Sequence, residues 1–470
     1  MSSTYIHPSV SRAALSRMFD AFREAEVNCH TFEIYQGETR LVRIAAAPYS
    51  CSDKRENYSL SKSFTSAAIG IAVTEGVLSL NDRIVDILPD KLPEIVSENL
   101  KKLTVRHLLT LSAGHEKCSF LKMSNAEDAA RAFLSEPFPN TPGTAFCYDT
   151  GATCMLGIVL ERVTGMNPLE YLALKFFPLA GIENVYWNTT RDGSTECGVG
   201  LHASCDDIAK FGILFAGGGV YNGKRLISEE YVREAGSPQI CYLNNGDAPS
   251  RLNGYGYQFW MKEHDGYDAE GSFGQYCFIF PKMKLTIAMQ TESQPGHDPV
   301  PAIYRLLDEL FEKDDDASLT VPVPEYAPLS SPELPLPSTG KVYRTNRNPM
   351  GISSFTLEKE NGDLILRFTD GQYSHRISAG NGHYVTSEWT GVHLTPKLGI
   401  MRGDYRETLS AACSYRQEPD GVTLEARFLM CPHTLTAKFR FAGNTCTIDL
   451  STTLKDGLAP DCRSIIATAD

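Results

Sequence analysis

The first amphipathic stretch carries Leu15, Met18, Phe19 and Phe22 three and four residues apart among polar neighbours, which predicts a surface helix over residues 11–26. The period then shortens to two. Phe32, Ile34 and Tyr35, a turn at Gln36-Gly37-Glu38 and the stretch from Leu41 to Ile44 predict a β-hairpin. Between Tyr58 and Gly76 small and apolar residues (Ala67, Ala68, Ile69, Ile71, Ala72, Val73) fill one helical window, with Gly76 placed as its left-handed stop. Further helices are predicted over 103–111 with Thr104 as cap, over 152–163 ended by Gly165, from Asn167-Pro168-Leu169-Glu170 onward, and over 206–215 before Gly217-Gly218-Gly219. Residues 125–260 thus read as mostly helical. Residues 254–260, 272–280 and 285–291 read as three consecutive strands, and 303–311 as an amphipathic helix. Strands at both ends with helices between predict an α+β fold, an antiparallel sheet flanked by helices and carrying a helical insert.

The pattern changes after residue 313. Asp314-Asp315-Asp316 and the run from Val321 to Pro337, with six prolines, predict a semi-rigid linker over 314–339. Beyond it come short alternating strands: 355–358 and 364–368 flank Asn361-Gly362, a strong hairpin signal, and 435–441 meets 447–450 across Gly443-Asn444. The expected organisation is therefore a domain over 1–313, a linker over 314–339 and a small all-β barrel or sandwich over 340–470.

A net charge of −13 without any basic stripe disfavours nucleic acid and anionic membranes as partners. No secretory leader and no bilayer-length apolar run are evident. Thirteen scattered cysteines, with no Cys-x-x-Cys pair, suggest reduced and mostly buried thiols in a cytoplasm. No metal or cofactor is expected, and His107 and His202 read as structural.

The candidate chemistry starts at Ser59. Lys62 lies three residues on, so a helix puts its amine on the same face as the Ser59 hydroxyl, at an end where free N–H groups favour negative charge. An amine beside a serine is one way to activate a hydroxyl. Ser-x-x-Lys recurs at Ser119/Lys122, in a polar loop, and at Ser338/Lys341, ending the proline-rich stretch; only the first opens a buried helix. Tyr148 sits between the turn Thr141-Pro142-Gly143 and a helix, placed to project into a cleft. Ala269-Glu270-Gly271-Ser272-Phe273-Gly274-Gln275 enters the middle strand, where glycines admit close backbone approach and a main-chain N–H can pair with that of Ser59 as an oxyanion hole. Gly218 to Lys224 imitates a phosphate-binding loop, but Arg225 stands where a magnesium-binding hydroxyl is required and no strand precedes it.

In this order and spacing the three pieces resemble the serine β-lactamase-like family, which includes class C β-lactamases, penicillin-binding carboxypeptidases, family VIII esterases and 6-aminohexanoate-oligomer hydrolases. The resemblance covers roughly residues 10–312 and is supported by Leu108–Gly114, Pro142-Gly143-Thr144, Leu160–Gly165, Asp207–Gly212 and Gly254-Tyr255-Gly256-Tyr257. It implies a serine amidase or esterase with a Ser59 acyl-enzyme, acid–base work shared by Lys62 and Tyr148, and an oxyanion held by the N–H groups of Ser59 and Ser272. Two positions depart from the family: Thr150 replaces the usual Asn of Tyr-x-Asn, and Ala269 the usual Lys or His two places before Gly271. Losing that cation argues against efficient β-lactamase activity. Thr150, Glu270 and Gly271 are expected to meet the substrate, with Glu270 favouring a neutral or amine-bearing ester or amide. An acyltransferase using the same acyl-enzyme, or a ligand sensor of the same fold, are the alternatives. The β domain is compatible with a cover for the cleft, a homodimer contact or a partner site.

Overall fold

The computed structural model describes residues 3–241, 254–294, 296–314, 319–336, 340–348, 351–370, 373–392, 406–453 and 464–470. Two compact units emerge: Ser3–Ala45 with Ser50–Pro324, and Ala46–Tyr49 with Glu325–Asp470. Among the described residues no helix is long and apolar enough to cross a membrane. The described cysteines are free thiols, most of them buried.

The first unit is built on a seven-stranded antiparallel sheet in the spatial order Ser3–Ile6, Thr39–Ala45, Asn28–Gln36, Leu285–Glu292, Gln275–Phe280, Tyr267–Gly271, Trp260–Met261. The early hairpin and the late strands meet in one sheet, with Ile34 opposite both Val42 and Ile287. Helices Arg12–Glu24 and Val300–Glu309 cover one face through Leu15, Phe19, Phe22, Ile303 and Leu306. Helix Cys205–Ala216 lies on the other, where Gly212 comes so close that a Cβ would stand 2.6 Å from Cys277 Sγ. Both faces being covered, the central strands are buried on both sides, polar positions such as Glu33 and Gln290 included.

Helix Ser61–Thr74 is buried along almost its whole length, and its Phe64 stacks on Phe211 with centroids 4.2 Å apart. Small residues make this burial feasible: a Cβ on Gly70 would sit 2.7 Å from the Tyr231 ring. Gly76, at φ +73°, ends it through paired bonds from the Gly76 N–H to Val73 and the Val77 N–H to Ala72. The segment 125–260 holds helices Ala129–Leu134, Thr150–Thr164, Pro168–Lys175, Cys205–Ala216 and Glu229–Ala235, interrupted by short strands. The phosphate-loop imitation is a small hairpin, Val220–Tyr221 with Lys224–Arg225.

Four local expectations change. A single 3₁₀ turn, Tyr58–Leu60, precedes the helix, so Ser59 lies one turn ahead of its α-helical ladder. Residues 254–259 do not form a strand: Gln258 is at φ +68° and its carbonyl accepts from Ser63 Oγ at 2.6 Å, which turns the segment toward the helix. The missing strand is Tyr267–Gly271, whose acids conceal it in the sequence, and Ser272 belongs to the turn that follows. The second Ser-x-x-Lys is not in a loop but heads helix Phe120–Ser124, with Ser119 buried.

The second unit is one ten-stranded antiparallel ladder running from Ser374–Ala379 at one end to Val385–Val392 at the other. Those end strands are consecutive in sequence, and Ser387 Oγ both accepts from the Ser378 N–H and donates to the Ser378 carbonyl at 2.8 Å. The ladder therefore curls into a near-barrel and not a sandwich, around Tyr343, Phe355, Leu357, Tyr415, Leu424 and Phe439. Asn361 and Gly362, both at positive φ, turn the hairpin between Ser354–Glu360 and Asp363–Thr369. Within the proline-rich run, Val321 packs into the core of the first unit and Leu336 into that of the second. Asp315, Asp316 and Ser338 lie outside the described residues.

Glu33, on a central strand, is fully buried 3.3 Å from Arg43 and 3.6 Å from Arg40. Burial, reinforced by the charge of Asp206, raises its carboxyl from the ordinary 4.5 to about 7 against the pull of the two arginines. A raised folded pKa means that Glu33 contributes stability below about pH 4.5, which is lost as pH rises through about 7. Urea unfolding across that window should show Glu33→Gln gaining stability relative to the native chain as pH rises. A constant difference between the two would refute the assignment.

Candidate active site

Ser59 stands on a turn pinned from beneath by Asn57. The buried Asn57 side chain donates to the carbonyls of Arg55 at 2.8 Å and Ala203 at 3.0 Å, and its Oδ1 accepts from Gln290 Nε2 at 3.0 Å. Its N–H completes a bond to the Leu201 carbonyl. Tyr58 adopts φ +47°, and the chain then enters the helix that carries Lys62. Lys62 is 1% exposed. Its Nζ donates to Ser59 Oγ at 3.1 Å and to the Gly198 carbonyl at 2.7 Å, and lies 4.9 Å from the centroid of the Tyr148 ring. Three groups distant in sequence therefore converge on one nitrogen, Tyr148 meeting it through its ring face.

Tyr148 is 36% exposed and stacks on Trp260 at 5.8 Å with rings within 15° of parallel; Phe146 and Tyr255 pack around the same indole. Thr150 starts the next helix and reaches the site through Gly198: a Cβ on Gly198 would stand 2.6 Å from Thr150 Cγ2. Thr150 thus shapes the segment whose carbonyl holds Lys62.

The other wall is the turn Ser272-Phe273-Gly274. Phe273 at φ +64° and Gly274 at φ +86° bend it, and Gln275 Nε2 ties it down by donating to the carbonyls of Phe273 at 3.1 Å and Thr291 at 3.0 Å. Phe273 meets Tyr58 edge-on at 5.0 Å, so the turn stands beside the one that carries Ser59. The Ser272 N–H has no acceptor among the described residues. A Cβ on Gly271 would collide with the Asn57 carbonyl, so only glycine permits this approach.

That collision also orients the strand. Gly271 and Ala269 face the Ser59 side, and alternation turns Asp268 and Glu270 to the opposite face. There Lys262, buried, lies 2.6 Å from Glu270 Oε1 and 3.4 Å from Asp268 Oδ2. The two carboxylates hold this amine well above the usual lysine range despite its burial. Glu270 is only 8% exposed and its charge is engaged, which corrects the expectation of an acid turned toward the substrate. Its sequence signal was Lys262, a lone basic residue across a short turn from two alternating acids.

A family model described as Beta-lactamase matches residues 48–311. An uncharacterized protein of Alkalihalophilus pseudofirmus is 26% identical over 218 residues, 42% of this chain and 58% of that protein, so the chain spans little more than half of it. The 6-aminohexanoate-dimer hydrolase of Paenarthrobacter ureafaciens is 22% identical over 318 residues, 63% of this chain and 81% of the relative. Among solved structures, the octameric penicillin-binding protein homologue from Pyrococcus abyssi shares the fold at a TM-score of 0.51 and 16% identity, over 97% of this chain and 99% of that one. With the matched model spanning more than half its length around the Ser59–Lys62 helix, the chain belongs to the β-lactamase family.

Proposed function

We propose that this protein is a serine hydrolase that cleaves small, uncharged esters or amides through an acyl-enzyme on Ser59. Membership of the β-lactamase family supports serine-hydrolase-type acyl-enzyme chemistry in general. The observation that carries the finer reading is the 3.1 Å approach of a buried Lys62 Nζ to Ser59 Oγ, beneath the Tyr148 ring. In this reading Ser59 Oγ bonds to the substrate carbonyl carbon while its proton passes to the Lys62–Tyr148 pair. The carbonyl π electrons move onto oxygen, where the N–H groups of Ser59 and Ser272 stabilise them. Collapse breaks the bond to the alcohol or amine, which departs with the proton. Water then attacks the ester of Ser59 by the same steps in reverse, releasing the acid and restoring the hydroxyl.

Charge sets the substrate class. Ala269 offers no cation for a substrate carboxylate, and Glu270, paired with Lys262, offers no free anion for an amine. Uncharged acyl groups therefore lose least on entering. Thr150 acts by holding the Gly198 segment, and Gly271 by letting the hairpin close on Asn57.

Intact-mass analysis after treatment with a fluorophosphonate should show one adduct on the native chain and none on Ser59→Ala; equal labelling of both would refute a Ser59 nucleophile. In a panel of p-nitrophenyl esters, the neutral acyl group should exceed its carboxylate- and ammonium-bearing analogues in kcat/KM by about tenfold or more, the order of one missing charge-assisted contact. The 6-aminohexanoate dimer named for the Paenarthrobacter relative belongs in the same panel as the doubly charged case; if it is preferred, the charge argument fails. Gly271→Ala should lower kcat by about 10²–10³ through displacement of the Ser272 N–H, with KM little changed. Steady-state kinetics alongside circular dichroism check this, and unaltered kcat would remove Ser272 from the oxyanion hole.

A further inference from the structure

Asp149 follows Tyr148 directly and is buried. Its carboxylate accepts from His115 Nδ1 at 2.8 Å, from the N–H and Oγ of Ser119 at 2.9 and 3.0 Å, and from the Gly151 N–H at 2.8 Å. One of these bonds caps the helix Thr150–Thr164; the others bring in a separate segment of chain. Because a carboxylate only accepts, the proton of the His115 bond belongs to Nδ1. His115 Nε2 has no partner among the described residues, and its ring lies between Phe133 and Phe138, with centroids 4.5 and 4.4 Å away. Packing alone would place an apolar side chain in that slot, since a buried nitrogen left unmatched is unfavourable. What the imidazole adds is one N–H aimed at Asp149.

The segment around Tyr148 is held on both sides. The Cys147 N–H donates to the Leu111 carbonyl at 2.8 Å, and Asp149 is anchored as described. Tyr148 is the single residue between these anchors, and its hydroxyl has no partner among the described residues. Its backbone is therefore placed by its neighbours and its ring by Trp260, which leaves the hydroxyl free for a reacting group.

We infer that His115 and Ser119, acting through the Asp149 carboxylate, are positioning residues for the Tyr148 phenol. The inference rests on the acid–base role proposed for Tyr148. Misplacing a reacting group by about 1 Å costs up to about 10²-fold in rate, so loosening this anchor acts on turnover and not on substrate binding.

The test measures kcat and KM for a neutral p-nitrophenyl ester in the full chain. His115→Phe, shaped for the slot but lacking the donor, should lower kcat about tenfold with KM unchanged, and Ser119→Ala should lower it several-fold, about the loss of one hydrogen bond. His115→Asn, whose amide can reproduce the Nδ1–H, should return kcat to within about twofold of native. The decisive measurement is in the Tyr148→Phe background, where Ser119→Ala and His115→Phe should cost less than about twofold further, because the group they position is gone. Equal losses in both backgrounds, a change confined to KM, or no loss from either variant while Tyr148→Phe is impaired would overturn the positioning role alone. Full activity of Tyr148→Phe would overturn the role of Tyr148 itself, and this inference with it. If His115→Phe does not fold, Ser119→Ala and His115→Asn decide between the same outcomes.

Discussion

The close passage of one backbone over another governs the site. The strand Tyr267–Gly271 must end against the Asn57 carbonyl, immediately before the turn that carries Ser59, and a single Cβ at Gly271 would keep the two apart. Asn57 cannot yield, because its side chain and N–H are bonded to three carbonyls and to Gln290. The turn Ser272-Phe273-Gly274 cannot yield readily either, since Gln275 and Thr291 hold its carbonyls. Two separately braced turns are thus brought together by the absence of a side chain. In the proposed function, main-chain donors held in place this way would stabilise a developing oxyanion without reorganising during the reaction.

Charge is distributed unequally around this frame. Lys262, on the far face of the edge strands, lies between two carboxylates, whereas Lys62 has a hydroxyl, a carbonyl and an aromatic ring as partners. Among the described residues Lys62 forms no ion pair. A buried amine bonded to neutral groups can exchange a proton without first breaking a salt bridge, while an amine fixed between two acids serves the strand it supports. In the proposed function the first acts at the reacting centre, and the second holds the wall behind it.

The near-barrel of the second unit poses a different problem. Its ten strands leave two edges, and an exposed edge invites pairing with other chains. The side chain of Ser387 bridges these edges through both backbone groups of Ser378, and Trp389 and Leu409 pack inside. Closure combines this side chain with backbone bonds at Gly380, whose N–H donates to the Cys413 carbonyl and whose carbonyl accepts from the Tyr415 N–H.

What the sequence determined by itself was local or ordered along the chain. The period of Leu15, Met18, Phe19 and Phe22 predicted its helix, Gly76 and Gly165 marked helix ends, Asn361-Gly362 a hairpin, and the succession Ser59–Lys62, Tyr148, Gly271-Ser272 pointed to the family. Each of these depends on residues a few positions apart, or on their order alone. Only the tertiary structure decided which face of the edge strand Glu270 occupies, that Lys262 is its partner, that Asp149 is anchored by His115 and Ser119, and that Asn57 underlies Ser59. Periodicity and turn chemistry are properties of near neighbours, whereas the partner of a buried charge is chosen by how the sheet and helices stack, and it comes from a segment that no local pattern connects to it.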